Sequence, residues 1–429
     1  MSQNLLIQGG RKICGEHIVS GNKNAALPMI AAALLADTPV VLENVPNISD
    51  VAFMLEAAHR LGAKIERDCS KGTVSISASR IKSVKLDQEL ANKIRTSFLF
   101  VGPLLARAKR VVIPPPGGDQ IGRRRLDSHI AGFKMLGAKT TAKRNAFSFR
   151  GELKGARILL DEASVTATEN ILMAAVLAKG KTEIYNAACE PHIVNLASML
   201  IKMGAKISGA GTNKIVVEGV SKLSGCRARV WCDYIEAGSF VVAAAVTKGD
   251  ILLRGIDPEP FEVLEGVFKR FGVEWVIDPV ERTLRYTYRK RLRMSYDFGD
   301  VIPSVSDGPW PSFPSDLLSI VIVLASQTRG TCLFFEKMFE SRLYFIDSLR
   351  QMGAKIVQCD PHRVVVTGPS RLYGGMISSP DIRAGIALVI AALAAKGQSV
   401  IRNAEIIDRG YVAIETSLSK LGASITRDN

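Results

Sequence analysis

Six times along the chain, a run of small apolar residues with no polar face is followed, usually across a glycine, by a stretch rich in β-branched residues. The instances are KNAALPMIAAALL then PVVLENV, RTSFLFVGPLLA then RVVIPP, TENILMAAVLAKG then KTEIYNA, EAGSFVVAAAVTKG then DILLRGI, DLLSIVIVLASQTRG then TCLFFEK, and RAGIALVIAALAAKG then QSVIRNA. A helix that is apolar on nearly every face must be buried on nearly every face. The pattern therefore predicts α/β modules with their first helices inside and sheets outside. A second phrase keeps the same rhythm: LGAKI at Leu61, LGAKT at Leu136, MGAKI at Met203, FGVEW at Phe271, MGAKI at Met352 and LGASI at Leu421. Each reads as the last apolar turn of a helix, a glycine at the left-handed cap and the first residues of a strand. A period of roughly 70 residues exceeds that of solenoid repeats, so each unit is a small α/β module of its own.

At 429 residues the chain exceeds one ordinary core, and six modules divide most simply into two domains of three. With 47% hydrophobic and 23% charged residues and no low-complexity stretch, long disorder is excluded. The net charge of +15 is compatible with nucleic acid, a membrane surface or small anionic substrates. Most of the cations stand singly, and the densest cluster, Arg123 to Arg125, has no interleaved aromatics, so polyanion binding is the weaker reading. The N-terminus does not read as a secretory signal, so a cytoplasmic location is expected. Apolar runs such as Ile386 to Ala395 are about half the length of a membrane span. Seven cysteines without CxxC spacing read as reduced thiols, and His17, His59, His129, His192 and His362 show no metal-ligand spacing. No structural metal is expected. Neither GxGxxG opening a βαβ unit nor a Walker-type loop is present, so no cofactor is expected either.

The candidate chemistry gathers at Pro114 to His129, PPPGGDQIGRRRLDSH, where prolines and two glycines, Gly117 and Gly118, bring Asp119 beside three consecutive arginines. Adjacent guanidiniums call for an anion, so the stretch reads as an anion-handling loop carrying an acid. Charged residues also stand at the starts of the buried helices: Lys23, Arg95, Glu236, Asp316 and Arg383. End-capping accounts for the two acids. A cation at a helix N-terminus opposes the dipole unless an anion shares its site, so Lys23, Arg95 and Arg383 point to anion binding.

On SGNKNAALP at Ser20 to Pro28, IRTSFLFVGPLLAR at Ile94, PPGGDQIGRRRLDSH, SVTATENILMAAVLA at Ser164, FPSD at Phe313, FESR at Phe339, DIRAG at Asp381 and IDRGY at Ile407, the chain resembles the UDP-N-acetylglucosamine 1-carboxyvinyltransferases over essentially its whole length. These are enolpyruvyl transferases of the EPSP synthase superfamily that open peptidoglycan precursor synthesis. The resemblance implies an inside-out α/β barrel of two three-module domains. One is discontinuous, residues 1–19 plus 232–429; the other, residues 20–231, carries the 114–129 stretch as a lid. It implies small-molecule substrates, phosphoenolpyruvate and UDP-N-acetylglucosamine, with no nucleic acid or membrane partner. Lys23, Asn24, Arg124, Arg342, Arg383 and Arg409 match phosphoenolpyruvate positions. Asn24, Arg95, Arg124, Arg125, Leu126, Asp127, Ser128, Ser164, Val165, Asp316 and Met338 match positions contacting the UDP-sugar. Lys23, Asp119, Asp316 and Arg409 carry the catalysis, with Asp316 taking the proton of the sugar 3-hydroxyl.

Asp119 stands where most members of that family carry a cysteine, the target of the epoxide fosfomycin, and a carboxylate cannot form the thioether. Three further positions depart from the pattern. Glu162 replaces a lysine, Thr166 a glycine and Tyr234 an arginine, near where the diphosphate is read. A reversed charge at 162 weakens diphosphate binding unless Arg123 and Arg125 compensate. The alternative is an enolpyruvyl transferase acting on a different nucleotide or sugar acceptor.

Overall fold

The computed structural model describes residues 3–118, 121–122 and 124–428. They form two compact units, residues 21–118 with 124–231, and residues 3–20, 121–122 and 232–428. Asp119 and Arg123 lie outside the described residues.

The unit of residues 21–231 has three inner helices, Lys23–Ala32, Val101–Ala108 and Val165–Ala175. Val165–Ala175 packs against both of the others. Outside them lie Ser49–Arg60, Asp127–Met135 and Pro191–Lys202, each with one buried and one wet face. Two sheets share one plan. The strand after an inner helix, such as Val40–Glu43, pairs antiparallel with one arm of a hairpin, Thr73–Ser77, whose other arm, Lys64–Asp68, continues the glycine phrase. On its other edge it pairs parallel with a short strand, Arg227–Arg229. Arg157–Leu159 beside Lys181–Tyr185 repeats this arrangement. In the third sheet the parallel edge shrinks to a single bridge, Lys85 with Val112.

The other unit repeats the plan with inner helices Tyr234–Val246, Ser315–Gln327 and Ile382–Ala394, each packed on the other two. Every residue from Ile382 to Leu393 is buried. Each large aliphatic side chain removed from water there contributes about 1.5–3 kcal/mol before entropy is counted. Residues near the N-terminus complete two sheets of this unit. Asn4–Gln8 lies between Gln398–Arg402 and Ser424–Asp428, and Cys14–Ile18 runs parallel beside Asp250–Arg254.

All six phrase glycines, Gly62, Gly137, Gly204, Gly272, Gly353 and Gly422, have φ between +73° and +116°, the left-handed stop that the sequence predicts. One expected element differs. The stretch from Arg95 is a 3₁₀ turn, Arg95–Phe100, and only then an α-helix, Val101–Ala108. Pro103 has no N–H to give Leu99 and its ring crowds that carbonyl. The next-door bond is broken too: Asn170 takes the Gly102 N–H on Oδ1 at 2.7 Å and gives Nδ2 to the Phe98 carbonyl at 2.8 Å, replacing the i→i−4 pair with a side-chain amide.

Candidate functional site

In the unit of residues 21–231, Asn22 caps its first inner helix by accepting from Ala25 N–H at 3.1 Å, which sets Lys23 at the first helical position and half-buried Asn24 after it. Lys23 is 8% exposed and its Nζ lies 2.6 Å from Asp50 Oδ2, so an acid from the outer helix Ser49–Arg60 supplies an anion at this helix start. Arg95 spans from the 3₁₀ turn to the Arg124 and Arg125 carbonyls, donating from Nη2 at 2.9 Å to each. Burial, and then the Arg124 guanidinium, pull Arg95 down to about 10 against the opposing pull of Glu162. A half-buried cation facing another cation favours an added anion.

Arg125 donates to Asp127 Oδ2 at 2.9 Å, and its Nη1 stands 3.9 Å from Asp161. Its charge is thus already answered within the segment. Leu126 is half-buried, and Ser128 Oγ donates to Asp161 Oδ1 at 2.6 Å, fixing the start of the helix Asp127–Met135. Behind it His129 is buried, with Nδ1 3.2 Å from Asn170 Nδ2 and Nε2 3.1 Å from Thr166 Oγ1. Burial, and then Arg95, push His129 down to about 3, so it is neutral, accepting at Nδ1 and donating at Nε2. The hydroxyl of Thr166 therefore partners a buried imidazole. Ser164 caps the helix that Val165 opens, accepting from Ala167 N–H at 3.4 Å. Gly117 donates its N–H to Ala91 O at 2.9 Å, and any Cβ there would stand 1.8 Å from the Asn92 carbonyl oxygen. Close backbone approach is what requires this glycine.

In the other unit, Asp316 sits at the start of an inner helix and its carboxylate is gripped by two buried arginines. Arg342 Nη2 donates to Oδ1 at 3.0 Å and Arg383 Nη2 to Oδ2 at 2.8 Å. Arg342 Nη1 is also 3.7 Å from Asp381, which caps the helix Ile382–Ala394 through the N–H groups of Arg383 and Ala384. Arg342 Nε finds no acceptor among the described residues, although the side chain is 4% exposed. Desolvation pulls against Arg383, but Asp316, Tyr411 and Asp233 outweigh it and hold the guanidinium charged. Asp233 caps the helix Tyr234–Val246; burial pushes it up to about 6, with Arg383 opposing and Glu236 assisting. Tyr234 turns its ring to Trp310, 5.8 Å between centroids, so it packs. Arg409 ends the 3₁₀ turn Ala404–Arg409, anchored by Asp408 against Arg427 at 2.7 and 2.9 Å. Tyr411 follows, its hydroxyl 2.9 Å from Ser239 Oγ. Met338 is 41% exposed on the turn after the strand Gly330–Phe335.

The sequence model of the EPSP synthase (3-phosphoshikimate 1-carboxyvinyltransferase) family matches residues 7–418. Proteins named UDP-N-acetylglucosamine 1-carboxyvinyltransferase are 48% identical in Treponema denticola and Borreliella burgdorferi, over 98% of this chain and 98% of each relative. The one from Bradyrhizobium diazoefficiens is 48% identical over 98% of this chain and 97% of its own. The chain belongs to this family. Among solved structures, the enolpyruvyl transferase NikO of Streptomyces tendae superposes with a TM-score of 0.88 at 23% identity, covering 99% of both chains. EPSP synthase of Acinetobacter baumannii does so at 0.77 and 20% identity, covering 100% of both. These two give the α/β fold of the enolpyruvyl transferases.

For a 1-carboxyvinyltransferase the sequence left several groups unnamed. Asp50, Asp233 and Tyr411 hold or surround Lys23 and Arg383 from far away in the chain, and Asp381, two residues before Arg383, faces Arg342. Only Asp233 and Asp381 carry a local signal, an acid immediately before an apolar helix.

Proposed function

We propose that this chain transfers the enolpyruvyl group of phosphoenolpyruvate to the 3-hydroxyl of UDP-N-acetylglucosamine with release of phosphate, the first committed step of peptidoglycan precursor synthesis. The observation that carries the reading is Asp316 held by Arg342 and Arg383, with Arg342 Nε left for a further acceptor. Two nearly buried guanidiniums sharing one exposed-edge carboxylate form an anion subsite whose present occupant is a side chain. A substrate carboxylate or phosphate that engages the arginines relieves their pull on Asp316 and makes it a better base.

In the addition step Asp316 takes the proton from O3 as that oxygen bonds to C2 of the enol phosphate, and the methylene carbon gains a proton. Elimination then returns the double bond: C3 loses a proton and the C2–O bond to phosphate breaks. Lys23, Asn24, Arg124, Arg342, Arg383 and Arg409 are assigned to the charges of phosphoenolpyruvate and the tetrahedral intermediate. Arg95, Arg125, Leu126, Asp127, Ser128, Ser164, Val165 and Met338 are assigned to the UDP-sugar together with Asn24, Arg124 and Asp316, of which Asn24 and Arg124 also belong to the phosphoenolpyruvate set. Asp119, outside the described residues, is assigned to proton transfer at the methylene carbon.

Asp316→Asn keeps the shape and removes the base. Turnover should fall by about 10²–10⁴-fold, while calorimetric binding of UDP-N-acetylglucosamine persists. Turnover within a few-fold of wild type would remove Asp316 from the chemistry.

A further inference from the structure

The carboxyl of Glu336 lies directly behind this site and has no part in the reaction as described. It follows the strand Gly330–Phe335 and is completely buried. Its Oε1 accepts from the backbone N–H groups of Met338 at 3.1 Å and Phe339 at 3.0 Å, and Ser315 Oγ lies 3.1 and 2.9 Å from its two oxygens. Ser315 opens the helix whose second residue is Asp316. One side chain thus ties the start of that helix to the turn that bears Met338 and leads to Arg342.

Facing it is a second buried carboxyl. Asp307 is 1% exposed, accepts from Lys337 N–H on Oδ1 at 2.5 Å, and has no partner for Oδ2 among the described donors. Asp307 holds the backbone of the residue after Glu336, and the two carboxyls interact; carboxylates that close in a dry site repel each other, so one of them keeps its proton. The remaining neighbours do not replace that proton. Among the described residues the His362 ring meets the Glu336 backbone, its Nδ1 2.7 Å from the carbonyl oxygen. Arg342 attracts Glu336 but spends its Nη groups on Asp316 and Asp381.

We propose that Glu336 is a positioning residue for enolpyruvyl transfer that works as a neutral carboxylic acid, giving its O–H to Asp307 Oδ2 while its other oxygen holds Ser315 and the Met338–Phe339 turn. The inference rests on the assignment of Asp316 as the base. Burial, and then Asp307, push Glu336 up to about 9 against Arg342 and Ser315, in accord with the neutral form at physiological pH. Because the proton is retained in the fold and given up near 4.5 once unfolded, its stabilising contribution is full below that pH and is lost as pH rises toward about 9. Above that pH a second buried charge faces Asp307 and the turn loosens.

The test compares Glu336→Gln with Glu336→Ala in the full-length enzyme. A glutamine side chain donates and accepts where the neutral acid does, so it should rescue most of a loss in kcat of about tenfold or more caused by alanine. It should also abolish the fall in kcat above about pH 9. Its Tm relative to wild type should rise as pH is raised from 5 to 9, a readout that needs no turnover. Glutamine as damaging as alanine, an unchanged alkaline limb, or a pH-independent Tm difference would each overturn the proposal. If the alanine variant does not fold, the glutamine profiles decide alone. Absence of UDP-N-acetylglucosamine-dependent turnover in the wild type would instead strike the proposed function, leaving the Tm comparison intact.

Discussion

Asp316 is governed by its surroundings, whereas Asp119 matters here through the chemistry of its side chain. At Asp316 the partners are explicit: two arginines, one of them sixty-seven positions away, bind one carboxylate. The sequence marks Arg383 as a cation that needs an anion, because it sits where a helix dipole repels it. It cannot say that Asp316 answers that need, since the pairing exists only once two inner helices lie side by side. Lys23 and Asp50 make the same point. For Asp119 the chemistry of the side chain alone is decisive. A carboxylate does not open the fosfomycin epoxide to a stable thioether, so intact-protein mass should stay unchanged after incubation with the drug, whereas Asp119→Cys should gain one adduct. A drug adduct on the wild-type chain would refute this.

At the scale of elements, periodicity and glycine placement made the six modules legible, because each inner helix has no polar face to hide. The interrupted stretch after Ile94 was not legible. Pro103 signals a break, but the group that repairs it, Asn170, comes from another inner helix and enters through tertiary packing. It satisfies two backbone groups and His129 at once. Asn170→Leu leaves a buried N–H and C=O unanswered, at a cost of about 1–3 kcal/mol for each group. Chemical denaturation should show a clear drop in midpoint. Equal midpoints for wild type and Asn170→Leu would show that the amide is not what holds the two segments together.

For the whole molecule, the α/β architecture and the family were both readable from motifs spread from Ser20 to Tyr411. Strand partners were harder to read. Nothing in the pattern of Asn4–Gln8 says that it belongs between Gln398–Arg402 and Ser424–Asp428, since pairing is fixed by the sheet it completes. The three departures from the family pattern resolve unequally. Thr166 partners His129 and Tyr234 packs on Trp310, so both have local structural work. Glu162 acts electrostatically on Arg95 and Arg125, and Arg125 is already committed to Asp127. Acceptor specificity is therefore the decisive property of this enzyme. With phosphoenolpyruvate present, release of inorganic phosphate should require UDP-N-acetylglucosamine and match, mole for mole, the formation of its 3-O-enolpyruvyl ether. No release with that acceptor, together with release driven by a different nucleotide or sugar, would contradict it.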